Sequence, residues 1–352
     1  MAAKTPAMAE LARLVAGLRA SRGFAHKRDI AAVLQQLPGT AAHTAVPNGD
    51  DCAVLPDPGG DGAGHLLLAI EGLVQDFVEA LPWFAGYSAV MVNLSDIAAM
   101  GGRAVAVVDA LWSNGAAGAS PVLAGMRAAC ERYGVPLVSG HSNLHSPSAQ
   151  LAVAVLGRAR RLISSFAARP GDRVVVAVDL RGDWQGAWPF WNASTSAPPQ
   201  RLRADLALLP TLAETGLVDA GKDISMAGVL GTLLMLLECS GVGAHLQLDK
   251  LPLPAGTPDW DMPGDAAEAA RQRWLSAFPS YGFVFSLRPG AVGAVLQTFA
   301  DQGITAADIG SVVAGTRLDL QLHADRATLW DLAQQPFIGA GALAGVPAGR
   351  SA

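Results

Sequence analysis

The chain has 352 residues, 51% of them hydrophobic, and a net charge of −5. That is enough apolar material for a large core divided over two domains. The slight acidic excess removes any general electrostatic reason to bind nucleic acid or an acidic membrane. Three cysteines, Cys52, Cys130 and Cys239, are far apart and form no CxxC, so neither a disulfide framework nor a zinc knuckle is indicated, and a cytoplasmic protein is the expectation.

Residues 1–30 carry Glu10, Arg13 and Arg19 at helical spacing among apolar residues, unlike the unbroken apolar core of a signal peptide. They predict a short amphipathic helix followed by a loop, "GFAHKRDI". A first α/β unit is expected over 31–165. "GHLLLAIEGLV" and "AVAVVDALW" read as buried strands flanking the helix "WFAGYSAVMVNLSDIAAMG", and the helix "SPVLAGMRAACERYG" precedes the strands "PLVSG" and "QLAVAVLGRA". A second unit, 166–325, opens with the turn "RPGD" and the strand "RVVVAVDL". Its helices are "LRADLALLPTLAETG" and "MAGVLGTLLMLLECSG", with further strands in "GAHLQLDKL" and "YGFVFSLRP". The Trp-, Ser- and Pro-rich stretch 181–200 reads as a long loop whose Trp184, Trp188 and Trp191 bury themselves against the second domain. Residues 326–352 are expected to be an extension, Gly- and Ala-rich and loosely packed beyond 335.

Several carboxylates sit where the chain gives them little water. Asp96 lies in "VMVNLSDIAAMGGRAV", otherwise almost entirely apolar or small, and a charge buried there needs a partner. Asn93 shares its helix face, and Ser95, Gly101 and Gly102 permit close backbone approach. Asp50 and Asp51 stand side by side and point to opposite sides of an extended chain; a solvated turn after Asn48-Gly49 is the plainer reading of them. Glu71 ends an apolar strand, where α/β proteins place ligands or merely an exposed terminus. Asp223 or Ser225 would cap the helix that follows, and the same helix N-terminus would receive a phosphate. Separated acidic groups without a His cluster or Cys pair suit a hard divalent cation such as magnesium.

The motifs "NGDDCAVL", "AIEG", "VNLSDIAAMGG", "SGHSN" and "KDISMAGVLGTL" occur in that order over about residues 45–320. The chain resembles the aminoimidazole ribonucleotide synthetase (PurM-like) superfamily, which includes thiamine-monophosphate kinase and selenophosphate synthetase, and within it an AIR-synthase-related branch. The resemblance implies a two-domain α/β fold. Its N-terminal domains pair into the barrel-like core of a homodimer, its C-terminal domain packs outside, and ATP with Mg2+ binds between the domains. It implies metal ligands at Asp50 or Asp51, Glu71, Asp96 and Asp223, and nucleotide contacts at Asn93, Ser95, Gly101, Gly140, Asn143 and Ser225. Lys27 would contact phosphate from a flexible N-terminal segment, the alternative being an exposed basic turn. His141 would act as a base or bind the acceptor, the alternative being a packed or capping histidine.

The departures from the family pattern also matter. Glu71 replaces the usual Asp, "SGHSN" replaces the kinases' "GGDT", and "PSYGF" replaces their "GEDY". The expected function is ATP-dependent phosphorylation or activation of an oxygen on an unidentified small molecule. A catalytically reduced nucleotide-binding partner protein is the alternative.

Overall fold

In a computed structural model, residues 6–36, 44, 46–59 and 64–341 are described. Two helices, α1 (Pro6–Arg19) and α2 (Arg22–Leu34), precede the first sheet. Then follow β1 (Ala53–Pro56), β2 (His65–Leu73), α3 (Gln75–Ala80), α4 (Pro82–Ala99), β3 (Arg103–Asn114), α5 (Gly115–Tyr133), β4 (Leu137–Asn143) and β5 (His145–Ala159). These five strands form an open mixed sheet in the order β1-β2-β5-β3-β4. Helix α4 has Pro at its first turn and is buried on nearly every side. A helix so predominantly apolar belongs inside a protein, packed on more than one partner. One face of the sheet lies on it through Leu67, Ala69, Val107, Leu111, Val153 and Val155. On the other face Leu68, Ile70, Val108 and Leu156 are exposed.

The second half contains β6 (Arg173–Val178), β7 (Asp183–Trp184), β8 (Phe190–Asn192), α6 (Pro199–Glu214), β9 (Ala220–Asp223), α7 (Gly228–Ser240) and β10 (Gly243–Gln247). It continues with α8 (Asp265–Leu275), β11 (Phe278–Pro279), β12 (Gly282–Leu287), α9 (Val292–Asp301), β13 (Thr305–Val313), β14 (Arg317–Leu322) and β15 (Asp325–Asp331). Seven of these strands form a sheet in the order β15-β14-β10-β13-β6-β12-β9. The β-branched run of β6 is buried on both faces, as a strand covered on both sides must be. The end of α4 joins the two halves, because Ala98 and Ala99 pack into the second core beside Ile163, Leu209, Leu212 and Phe283. The architecture is thus a mixed α/β fold of two halves, each with its own sheet. Among the described residues no helix is long and apolar enough to cross a membrane, and all three cysteines are buried and unpaired.

Four local expectations change. The loop expected at "GFAHKRDI" is helix α2, whose Ser21 caps the Phe24 N–H. Helices α1 and α2 also carry Leu11, Leu14, Leu18 and Phe24 into the second-domain core, where Phe24 meets Trp330 and Phe337 edge to face. In this arrangement the segment is a packed pair of helices rather than a free loop. The tail is not loosely packed as far as 341. Strand β15 closes the sheet, and the Phe337, Ile338 and Gly339 N–H groups donate to the buried Glu238 carboxylate at 2.9, 2.7 and 3.2 Å. Residues 342–352 lie outside the described residues. Asp223 ends strand β9 and caps no helix, since α7 starts five residues later. The Trp-rich stretch contains β7 and β8, which form a three-stranded sheet with β11. Its Trp184 and Trp191 pack edge to face with each other and with Trp274 in the second half, as expected, although Trp184 is only partly buried; Trp188 instead lies against Phe77 of the first half.

Candidate active site

Four separate elements bring acidic side chains to the junction of the two halves. Asp96 sits in the last turn of α4, Asp223 at the end of β9, Asp51 just before β1, and Glu71 near the end of β2. Asp51, Asp96 and Asp223 each offer a carboxylate oxygen, and these atoms lie within 4.8 Å of one another.

The neighbouring carboxylates Asp50 and Asp51 have different surroundings. Asp50 accepts hydrogen bonds from the Ser164 hydroxyl at 2.7 Å and from the Ser165 amide and hydroxyl at 3.0 and 2.7 Å. Its oxygens thus tie the "GDD" loop to the segment between the two halves. Asp51 turns the other way, forms an ion pair with the buried Lys222 ammonium and accepts from the Asp223 amide at 3.4 Å. Lys222 was passed over in the sequence, although a lysine inside the small, apolar run "VDAGKDIS" needs a carboxylate to be buried at all.

Electrostatics follow from this geometry. Burial, reinforced by Asp223, Glu71 and Asp51, holds the Asp96 carboxyl well above the ordinary aspartate range. Burial pushes Asp51 to about 6 against the opposing pull of Lys222. Burial also raises Asp223 against the pull of Lys222 and Lys27, while Glu71 stands solvent-exposed at the edge of the cluster, where Lys27 favours its charged form. Burial disfavours the charge on Lys222, but Asp51, Asp50 and Asp223 outweigh it and keep the ammonium protonated. The Asp96 position is electrostatically poor for an anion in a second way, because it lies at the C-terminal end of a helix. Among the described residues no donor reaches its carboxylate. The donor-free oxygens of Asp96, beside Asp51 and Asp223, are what a hard divalent cation requires.

Other groups at the junction are also left without partners. The Asn93 amide nitrogen donates to the Ala89 carbonyl at 2.8 Å, which leaves its buried Oδ1 without a donor, and the buried Ser225 and Ser88 hydroxyls likewise have no partner. Ser95 is buried beside Asp96. Lys27, half-buried on α2, is near enough to act on both Glu71 and Asp223. One turn earlier on the same helix face is Gly23, where a Cβ would lie 2.4 Å from the Met226 carbonyl oxygen. The missing side chain lets α2 approach the segment after Asp223 and carries Lys27 to the carboxylates.

The remaining predicted residues do not join this cluster within one chain. His141, Gly140 and Asn143 lie on β4, the exposed edge strand. Three strand intervals separate β4 from β2, about 14 Å at the usual spacing. The His141 ring stands edge-on to Trp112 at 6.4 Å, and the Asn143 side chain accepts from the His145 amide at 2.9 Å. Gly140 lies under Asp109, whose Oδ1 would be 2.2 Å from an added Cβ. Gly101 ends α4 in the left-handed region at φ 75°, where a Cβ would also be 2.7 Å from the Arg161 carbonyl, so its position serves the chain turn. A groove of about 950 Å3 runs between α5 and β4 and is lined by none of the clustered carboxylates.

The N-terminal domain model of the AIR synthase related proteins matches residues 49–159, and the C-terminal domain model matches residues 169–323. The chain belongs to the AIR synthase related family. Within that family it is 44% identical over 334 residues to an uncharacterized protein of Synechocystis sp., covering 94% of this chain and 98% of that protein. It is 30% identical over 309 residues to the thiamine-monophosphate kinase of Synechococcus elongatus, covering 81% and 89% of the two chains. The structure of Thermotoga maritima PurL complexed with ATP has a TM-score of 0.66 at 18% identity, over 88% of this chain and 48% of PurL. The chain thus spans about half the length of that neighbour.

Proposed function

We propose that this AIR synthase related protein uses ATP and magnesium to phosphorylate, or to activate by phosphorylation, an oxygen of a small-molecule acceptor, working as a homodimer. One observation carries the reading: Asp51, Asp96 and Asp223 converge from three elements with oxygens within 4.8 Å of one another, where burial makes so much negative charge costly unless a cation offsets it. The similarity to a named kinase over 81% of the chain supports phosphoryl transfer as the reaction class.

In this reading Asp51, Asp96 and Asp223 hold magnesium, which when bound offsets the negative charge of the phosphates. Lys222 keeps Asp51 ionised and oriented, and Asp50 locks the loop through Ser164 and Ser165. Lys27 contacts phosphate from a helix, and the free oxygen of Asn93 and the hydroxyl of Ser225 supply hydrogen bonds to the nucleotide, its waters or the acceptor. Glu71, outside the trio and open to solvent, takes the acceptor's proton directly or through one water, a task suited to an accessible carboxylate at the edge of the site. Positioning supplies most of the catalysis in such transfers.

The dimer is supported by the first sheet. Its edges are open at β1 and β4, and Ile70 is 70% exposed beside Leu68, Val108 and Leu156. A bare apolar sheet face of this kind calls for a covering partner, and a second copy of the same sheet would provide one.

The test is ATP turnover by the purified protein with magnesium, alone and with candidate acceptors, in the native chain and in Asp96→Asn. Turnover that survives Asp96→Asn unchanged refutes the reading. Tight magnesium–ATP binding with no turnover under any acceptor would instead favour a nucleotide-binding partner protein, for which Glu71 in place of the usual Asp is the specific observation.

A further inference from the structure

Beside the carboxylates lies an apolar slot with a cavity volume of about 70 Å3, lined among others by Glu71, Phe77, Ser88, Met91, Phe190 and Phe278. Both halves of the chain build it. Phe77, Ser88 and Met91 come from α3 and α4, while Phe190 and Phe278 come from the adjacent strands β8 and β11, which are held in register by backbone pairing. The aromatic walls are already ordered against one another, with Phe77 and Phe190 centroids 4.7 Å apart and Phe190 and Phe278 6.2 Å apart.

Three polar side chains interrupt these walls, and one of them, the Ser280 hydroxyl, is already engaged by the Ala193 amide at 2.9 Å. Ser88 is 6% exposed and its hydroxyl has no hydrogen-bond partner, a state that native proteins seldom leave uncompensated. Glu71 is the acidic group lining the slot and is solvent-accessible. Placement on α4 relates the slot to the metal trio. Ser88, Val92 and Asp96 recur every four residues on one helix face, so the slot lies about 6–12 Å from Asp96 at 1.5 Å per residue.

We propose that this slot seats an uncharged, single unsaturated ring of the acceptor, with a polar substituent hydrogen-bonded to Ser88 and the reacting oxygen reaching back past Glu71. The inference rests on the phosphoryl-transfer reading for the word acceptor, whereas the ring site stands on the slot itself. Size argues against the nucleotide's own base. The cavity is less than half of the ~150 Å3 apolar cavity that accommodates benzene in an engineered protein, so it encloses only part of one ring, the rest lying in the opening, and has no room for a fused purine. Chemistry argues against a sugar or a phosphate, because Phe side chains and the Met91 thioether offer ring-edge, ring-face and sulfur contacts and almost no hydrogen bonds.

Saturation-transfer NMR on the full chain tests this, with phenol and benzyl alcohol as ring probes and ribose as the polar control. The expected result is that both rings bind and ribose does not. Ser88→Leu, which fills the slot, should weaken ring binding by at least about tenfold, and Phe278→Ala, which removes a wall from the other half of the chain, should weaken it similarly. Circular dichroism checks folding, and if Ser88→Leu does not fold, Phe278→Ala alone decides. Failure of both rings to bind the native chain, or equal binding to the folded variants, overturns the proposal. Magnesium–ATP binding to the native chain is measured separately by calorimetry. Rings that bind a chain with no affinity for magnesium–ATP would leave the slot standing and remove the phosphoryl-transfer reading, while the converse would remove only the slot.

Discussion

Replacing Asp96 by Asn is the most discriminating single change, because it should improve the fold while destroying the site. Asn is nearly the same size but cannot ionise. At a separation of 4.8 Å and an effective dielectric constant near 20, one fully ionised pair of carboxylates repels by about 3 kcal/mol. Asp96 faces Asp223, Glu71 and Asp51 and is only partly compensated by Lys222, so the metal-free variant should gain about 1–3 kcal/mol. For a chain of this size that corresponds to a rise in melting temperature of roughly 1–4 °C. The pH dependence gives an internal control. The folded-state pKa values of Asp96 and Asp223 are raised, and that of Asp51 is about 6, so the folded chain binds more protons than the unfolded one. Native metal-free stability therefore falls as pH rises from the ordinary aspartate range through about 6. The advantage of Asn should accordingly grow with pH, being smaller at about pH 5 than at about pH 8. In the native protein, magnesium–ATP at 100 times its Kd should add about 2.7 kcal/mol; in the variant that increment should vanish. Differential scanning calorimetry at the two pH values, with and without magnesium–ATP, reads all of this. A variant that melts lower without metal yet keeps its nucleotide-dependent shift would show Asp96 to be a structural partner and would refute the reasoning.

Lys222→Met leaves Asp51 buried without its cation and should cost about 3–5 kcal/mol in the metal-free protein. Added magnesium should recover part of that loss, whereas a melting temperature indifferent to magnesium would argue against a cation at Asp51. Deleting residues 1–34 removes Leu11, Leu14, Leu18 and Phe24 from the core, a loss of order 6–12 kcal/mol at ~1.5–3 kcal/mol per side chain; circular dichroism should show an unfolded chain, and a folded truncated protein would restore the idea of a removable cover. Ile70→Asp puts a charge at the centre of the exposed sheet face and should leave a folded monomer by light scattering, while an unchanged dimer would place the interface elsewhere.

The alternation of Leu67 and Ala69 against Leu68 and Ile70, the unbroken "RVVVAV" and the predominantly apolar α4 are local patterns, and each declares its element without knowledge of the rest of the chain. The order of "NGDD", "NLSDIAAMGG" and "KDIS" likewise carried the family, the two-domain α/β fold and three of the clustered carboxylates. Less was legible near residue 223, because "AGKD" is too short and too small to announce a strand, so Asp223 was given to the following helix. The basic turn at Lys27 proved helical because Leu11, Leu18 and Phe24 find partners around Trp330 and Phe337, three hundred residues away. The strands β13–β15 and the docked tail were missed for a similar reason, their stability coming from pairing with β10 and from Glu238.

What the sequence determined by itself was the inventory: which acids are present, which runs are apolar, and which elements carry them. Which of the adjacent Asp50 and Asp51 faces the trio, that Lys222 neutralises it, that β4 holds His141 some 14 Å from β2, and that Phe77 and Phe278 meet across a slot were decided only by tertiary structure. Hydrogen bonding, Coulomb energy and packing depend on distance in space, and residues 51, 96 and 223 acquire a common distance only when the two halves close on α4.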